Sequence, residues 1–343
     1  MAIIDKPENH PSFPEKSKIG VLRVNLGTPE GTDYWSMRKY LKQFLMDKRV
    51  VDIFRPLWWL ILNGPILTFR PSKSGKAYQK IWDKDNYGSP LRKFTINQTS
   101  KIKKIFKNYK NISIDYAMRY GKPEIEKTLN KMTEKGCSKI LLVPLYPQYA
   151  ASTSATVKDE VFKWMLKQRW QPDLRTIAPW FDDQLYIKAL AETIKKNIIN
   201  KKKLDKLVIS FHGIPKRYFM AGDPYHCHCI KTARLLKEEL KWPDDKILVT
   251  FQSRFGPEPW LQPYTDETII ELAKKGQKNI AVVAPGFISD CLETLEEINV
   301  EARELFIENG GESFEYIPCL NDNEYSIKFL EYIIKQNLLG WNS

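Results

Sequence analysis

Apolar residues fall along this chain in two rhythms. Short β-rich runs bounded by glycine or proline cover residues 20–26, 113–120, 139–146, 174–179, 206–211, 247–253, 278–285 and 313–319, and the stretches between them carry apolar positions at helical spacing. Strands alternating with helices in this way predict parallel βα units.

The eight runs divide into two sets of four that align with each other. The first strand of each set ends in Gly-x-Pro, as Gly27-Thr-Pro29 and Gly213-Ile-Pro215, and the second in Arg119-Tyr-Gly121 and Arg254-Phe-Gly256. A Lys-Gly pair precedes the third, Lys135-Gly136 and Lys275-Gly276, and that strand finishes at Pro144 or Pro285. The expectation is an α/β fold of two similar Rossmann-like lobes, each a four-stranded parallel sheet flanked by helices, with a ligand cleft between them at the carboxyl ends of the strands. The boundaries read as a flexible N-terminus over 1–18, a first lobe over 19–180, a second over 181–322, and a C-terminal helix over 323–343 that packs back on the first lobe. The first lobe also carries an insertion of about 32–94, long enough to fold over the cleft. Neither first strand is followed by a G-x-G-x-x-G or Walker-type loop, which argues against nucleotide use.

At 343 residues the chain exceeds what one compact core usually holds. Lys and Arg number 54 against 41 Asp and Glu, a net charge of +13 that suits an anionic partner without choosing between nucleic acid, membrane surface and carboxylate-bearing small molecule. The basic runs at 101–104 and 201–203 read as solvated helix or loop ends, and no nucleic-acid-binding signature accompanies them. Five irregularly spaced cysteines argue against a disulfide framework and for a reducing compartment. Residues 1–18 contain no apolar signal region. The greasy stretch 56–69 is shorter than the roughly 20 residues a spanning helix needs and is broken by Asn63-Gly64-Pro65. It reads either as a buried helix pair or as a lip on a bilayer interface, with Trp58 and Trp59 as anchors and Lys48, Arg49, Arg55 and Arg70 beside anionic headgroups.

Three features could carry chemistry. His212 ends a strand in Ser210-Phe-His-Gly-Ile-Pro215, where the imidazole emerges at the mouth of the sheet. Asp290, Glu293, Glu297, Glu301, Glu304 and Glu308 recur at steps of three or four and predict one acidic ridge along a helix over 290–308. Its outer members read as a solvated face, and Asp290, Glu293 and Glu297 as a path for protons or metal ions. The run His226-Cys-His-Cys229 lacks the second ligand pair that a structural zinc site needs, and reads as loop residues leading into a helix from near Lys231.

Taken together, Val24-Asn-Leu-Gly-Thr-Pro-Glu30, Gly88-Ser-Pro-Leu91, Pro147-Gln-Tyr149, Ser210-Phe-His-Gly-Ile-Pro215, Gly222-Asp-Pro-Tyr225, Gln252-Ser-Arg-Phe-Gly-Pro257, Pro259-Trp-Leu261 and Gly286-Phe-Ile-Ser-Asp-Cys-Leu-Glu-Thr-Leu-Glu-Glu-Ile298 resemble, in order, the sequence blocks of the ferrochelatase family, across about residues 19–330. The resemblance implies a class II chelatase, a lyase that inserts ferrous iron into protoporphyrin IX at the last step of haem biosynthesis. It implies His212 and Glu293 as catalytic and metal-contacting residues, with Asp290 and Glu297 as the proton or metal path. Leu26, Tyr78, Ser89, Arg119, Tyr120, Trp260 and Phe287 resemble the family's pocket residues, Arg119 as partner of a propionate and Trp260 and Phe287 as packing for the ring.

Two departures narrow the picture. Some members carry a second histidine where this chain has Cys291, which reads instead as a buried thiol. Members with an iron–sulfur cluster carry a cysteine beside the Pro-Gln-Tyr block and a cysteine-rich tail; here the block continues Ala150-Ala151-Ser152 and the tail has no cysteine, so no cluster is expected. Iron then enters as substrate with no resident cofactor, the partners are protoporphyrin IX and ferrous iron, and the expected location is cytoplasmic with peripheral contact to the inner membrane. Rival readings are a chelatase for another metal or tetrapyrrole and a non-catalytic porphyrin carrier, which would need the cleft but neither His212 nor the ridge.

Overall fold

Each of the eight apolar runs forms a strand: β1 Lys18–Gly27, β2 Ile112–Tyr120, β3 Cys137–Pro144, β4 Asp173–Thr176, β5 Lys206–His212, β6 Ile247–Gln252, β7 Asn279–Val283 and β8 Ser313–Ile317. They build two four-stranded sheets of the same parallel topology, β2-β1-β3-β4 and β6-β5-β7-β8. Structure is described for residues 17–84, 87–198 and 204–341 by a computed structural model. The basic run 201–203 and nearly all of the N-terminal stretch lie outside those residues, and β1 begins at Lys18, inside the stretch read as a tail.

The halves match in detail. The amide of Met118 in β2 donates to the carbonyl of Pro123 at 2.7 Å, and Phe251 in β6 donates to Pro263 at 2.8 Å, so both second strands are joined by the same short return to the helix that follows. Val21, Leu22 and Val24 of β1 and Leu207, Val208 and Ile209 of β5 are fully buried, as strands covered by helices on both faces must be. One apolar cluster runs from β1 and β3 through Trp180 and Tyr186 to β5 and β7, so the two sheets share a continuous core. The C-terminal helix Glu324–Leu338 packs on the helices Pro90–Ile105 and Gln184–Ile198 and on β3.

The first strand leaves its sheet through Gly27, whose φ of +107° and whose approach to the Tyr120 carbonyl, 1.8 Å from where a Cβ would sit, admit no side chain. After it comes the insertion, carrying the helices Tyr34–Leu45, Arg55–Ile61 and Leu67–Ile81. Asp33 caps the first, accepting from the amides of Trp35 and Ser36 at 3.0 Å. The stretch 56–69 is neither wholly buried nor wholly a lip. Trp58 is buried and donates from Nε1 to the Leu45 carbonyl at 2.7 Å, while Trp59, Leu60 and Phe69 are exposed at 51%, 62% and 74%. Of the two tryptophans, only Trp59 can anchor on a surface. Among the described residues no helix is long and apolar enough to cross a membrane.

Two helix readings need correction. His226, Cys227, His228 and Cys229 stand inside the helix Tyr225–Leu240 rather than before it. There His228 stacks on Phe181 at 3.7 Å between ring centroids and its Nδ1 accepts from the Tyr149 amide, while Cys229 is buried. After β7 the chain makes one short helix, Leu292–Leu295, then a wider π-helical turn, Glu297–Ala302, then Arg303–Glu308. That widening takes the acidic positions off a single regular face.

Candidate active site

A cavity of 310 Å³ opens beyond the carboxyl ends of β1 and β5, on the seam between the sheets, where the chain leaves both strands through small residues. His212 is the last residue of β5 and lines it. The backbone turns immediately at Gly213, where an added Cβ would lie 3.0 Å from the Gln252 carbonyl and 3.1 Å from the Trp260 ring. The carbonyl of Gly213 sits 2.7 Å from His212 Nδ1. A carbonyl can only accept, so Nδ1 carries a proton, and in the neutral ring Nε2 is the nitrogen with the free lone pair.

The opposite wall comes from the segment after β7. Glu293 lies in the first turn of Leu292–Leu295, and its backbone carbonyl accepts from Gln252 Nε2 at 2.7 Å, which ties this turn to the end of β6. Glu297 follows on the π-helical turn, hydrogen-bonded by Ser253 Oγ; Ser253 itself holds the left-handed backbone, φ +67°, at the cavity edge. Burial, and then the neighbouring Glu293 carboxylate, push the Glu297 carboxyl up to about 8. Tyr40, Tyr78 and Tyr146 line the cavity near Glu293, and burial pushes each phenol well above its ordinary range, so they stay protonated donors. Two buried groups at the cavity, Tyr146 OH and Trp260 Nε1, have no hydrogen-bond partner among the described residues.

The structure therefore gathers His212, Glu293, Glu297, Leu26, Tyr78, Trp260 and Phe287 around one cavity. It does not gather Asp290, Ser89, Arg119 or Tyr120. Asp290 is buried beside the cavity loop, accepting from Tyr316 OH, Asn321 Nδ2 (2.6 Å), the Cys319 amide (3.1 Å) and Thr294 Oγ1 (3.3 Å); these four donors turn it into a structural anchor between β7 and β8. Ser89 is buried at the start of Pro90–Ile105 and lies outside the cavity lining.

Arg119 was expected at a propionate, but Asp47 from the insertion engages it first. The guanidinium pairs with Asp47 and donates from Nε to Thr156 Oγ1 at 2.6 Å, while Tyr120 OH and Thr156 donate to the same carboxylate. Burial opposes that negative charge, yet the hydroxyl and amide donors and Arg119 hold the Asp47 carboxyl below its ordinary range. Arg119 faces a separate basin of 1050 Å³, divided from the cavity by Tyr218, which borders both.

Arg70 escaped the sequence reading as a pocket residue. It lines the cavity with Ser74 and Tyr78, at i, i+4 and i+8 along Leu67–Ile81, a spacing that was available as a signal once that segment is taken as helix. Burial lowers its pKa, with Glu297 pulling the other way. Cys291 also lines the cavity, buried beside Glu293, its thiol pushed up by burial and then by that carboxylate. Among the described residues no group of three or more His, Cys, Asp or Glu is arranged to hold a metal ion as a resident.

A family model described as Ferrochelatase matches residues 18–338. Proteins named Ferrochelatase from Allorhizobium ampelinum and Rhizobium meliloti are 55% and 53% identical over 336 and 339 residues, covering 98% of this chain and 97% and 100% of their own lengths. Among solved structures, SirB from Bacillus subtilis with Fe3+ is similar with a TM-score of 0.56 at 13% identity, covering 94% of this chain and 97% of that one. The sirohydrochlorin chelatase SirB of Bacillus subtilis subspecies spizizenii, solved with cobalt, gives a TM-score of 0.52 at 14% identity, covering 95% and 98%. At those identities the likeness is one of fold: two parallel sheets facing a shared cleft.

Proposed function

The chain belongs to the ferrochelatase family and is a metal chelatase, a lyase that inserts ferrous iron into protoporphyrin IX to form protohaem; we propose that two protons are exchanged for iron in the cavity between His212 and Glu293. The observation that carries this reading is the bond from His212 Nδ1 to the Gly213 carbonyl, because it holds the ring at the cavity and makes Nε2 the basic nitrogen of the neutral imidazole. A pyrrole N–H bond breaks as each of the two protons moves to a base, and Fe2+ bonds to all four ring nitrogens, its two positive charges replacing those of the two protons lost. Glu293 suits the second base or the first contact for the arriving cation. Glu297, held mostly neutral at neutral pH by its burial, keeps a second full charge away from Glu293, and it can accept a proton from the cavity only after it has passed its own proton onward.

The macrocycle must bend to expose its nitrogens, and contacts to the rest of the ring have to offset that strain. Trp260, Phe287 and Leu26 offer apolar surface for it, Tyr78 a buried donor, and Arg70 the cation for a propionate in the role first assigned to Arg119. In this reading iron is substrate only and no iron–sulfur cluster is needed: Cys137, Cys229, Cys291 and Cys319 are each buried, and Cys227 alone is exposed. The exposed Trp59, Leu60 and Phe69 support peripheral contact of a cytoplasmic protein with an anionic membrane surface.

Anaerobic metallation of protoporphyrin by ferrous iron, followed by absorbance, tests the assignment in the native chain and in His212→Ala and Glu293→Gln. Haem formation by the native protein, with both variants binding porphyrin but stalling, is the expected result. A native protein that binds porphyrin and metallates it with neither iron, zinc nor cobalt would be a carrier, and both roles would fall.

A further inference from the structure

We propose that Lys80 and Glu296 are positioning residues for metallation: their ion pair fixes the inserted helix Leu67–Ile81 against the segment that carries Glu293, and so sets the width of the cavity. Lys80 Nζ lies 2.6 Å from Glu296 Oε1. Its side chain is 51% exposed, whereas that of Glu296 is 6% exposed, so a buried carboxylate takes its cation from the solvent side. The pair joins two elements more than 200 residues apart in the chain, one from the insertion and one from the second half, which meet here over Leu292–Leu295.

What each end carries gives the contact its meaning. Two residues before Lys80 is Tyr78, and Arg70 lies on the same helix; both line the cavity. Three residues before Glu296 is Glu293, and the residue after it is Glu297. Glu293 acts electrostatically on Tyr78, and Glu297 on Arg70, so the groups facing each other across the cavity sit on the two elements that the pair connects. On its own side the Glu293 segment is tied through Gln252 Nε2 to the Glu293 carbonyl at 2.7 Å, through Ser253 to Glu297 and through Thr294 to Asp290, all of them contacts within the second half. None of these fixes its distance from the inserted helix, and the ion pair from Lys80 is the charge contact that does. Glu301, Glu304 and Lys73 stand near enough to act on Lys80 or Glu301 electrostatically, and they modulate the contact without replacing the pair.

The inference rests on the cavity being the metallation site. Its test uses the full chain, with ferrous iron and protoporphyrin, in Lys80→Met, Glu296→Gln, Lys80→Arg and the reversed pair Lys80→Glu with Glu296→Lys. Both neutral variants are expected to lose about tenfold in kcat/KM, with Lys80→Arg close to native and the reversed pair recovering most of the loss, as coupling within one pair requires. Raising NaCl to 0.5 M should lower kcat/KM of the native protein more than that of Lys80→Met, because only the native protein has the contact to screen. Thermal melting of each variant is followed in parallel. Lys80 is half exposed, so its replacement reads the contact even if Glu296→Gln fails to fold. A native protein that metallates while Lys80→Met keeps kcat/KM within twofold overturns this inference alone; a native protein that does not metallate overturns the assignment on which it rests.

Discussion

Glu297 is held at the cavity edge in a state that costs stability, and Glu297→Gln should reveal how much. A carboxyl raised from 4.5 to about 8 prefers its neutral form in the folded protein by about 5 kcal/mol more than in the unfolded chain. Between pH 4.5 and 8 the folded state therefore binds more protons than the unfolded state, so whatever this group contributes is complete below pH 4.5 and is lost as pH rises to about 8. At pH 7 the loss amounts to about 3 kcal/mol, set against a glutamine that never ionises. Glutamine keeps an oxygen to accept from Ser253 Oγ, so the substitution removes the ionisation and little else. The melting temperature of Glu297→Gln is expected to match the native value near pH 4.5 and to exceed it by roughly 3–6 °C at pH 8. Metallation should fall in the same variant, the common outcome when a strained site group is relaxed. Equal melting temperatures at pH 8, or an equal gain at both pH values, would refute the argument, because either result means that the folded protein does not hold this carboxyl neutral.

Three further outcomes follow from the geometry. Arg119→Leu leaves Asp47 buried without its cation and should cost about 3–5 kcal/mol in urea unfolding at pH 7, with the deficit shrinking in acid as Asp47 takes a proton, and with the porphyrin KM of the folded fraction unchanged. Arg70→Met should raise the porphyrin KM about tenfold with kcat retained, and the difference should vanish with a porphyrin dimethyl ester, which has no carboxylate to bind. Leu60→Ser combined with Phe69→Ser should weaken sedimentation with anionic liposomes at low salt and leave metallation in detergent unaltered, and unchanged sedimentation would rule out this surface as the contact.

Much of the fold was legible because short, β-branched apolar runs bounded by glycine or proline recur in the same order in both halves. Val21 and Leu22 in the first run, and Leu207, Val208 and Ile209 in the second, put apolar side chains on both faces despite the buried polar residues Arg23, Asn25 and Ser210, and the punctuation that follows the runs repeats between the halves. The lining of the cavity was legible where a strand end dictates position, as for His212, or where a residue lies within a block of fixed spacing, as for Glu293, Trp260 and Phe287. Reading failed where a distant segment decides what a side chain meets. Arg119 stands near a strand end as expected, but Asp47, 72 residues earlier, takes its charge. Asp290 keeps step with Glu293 and Glu297 in the sequence, yet the loop after β8 supplies it with donors and draws it into the interior. The π-helical turn is invisible to a 3.6-residue periodicity, since it arises from how the segment is seated. Arg70 was not read as a cavity residue because the apolar stretch ahead of it invited a membrane explanation for its charge.

The placement of the cavity on the seam has a consequence for how this chain could be divided. The half that ends before β5 brings Leu26, Arg70 and Tyr78 to the cavity, while the half that follows brings the proposed bases His212, Glu293 and Glu297 together with Trp260 and Phe287. Neither inheritor of such a cut would hold the whole cavity. Chemistry here belongs to the joint, and haem output from two separately expressed halves would report their reassembly.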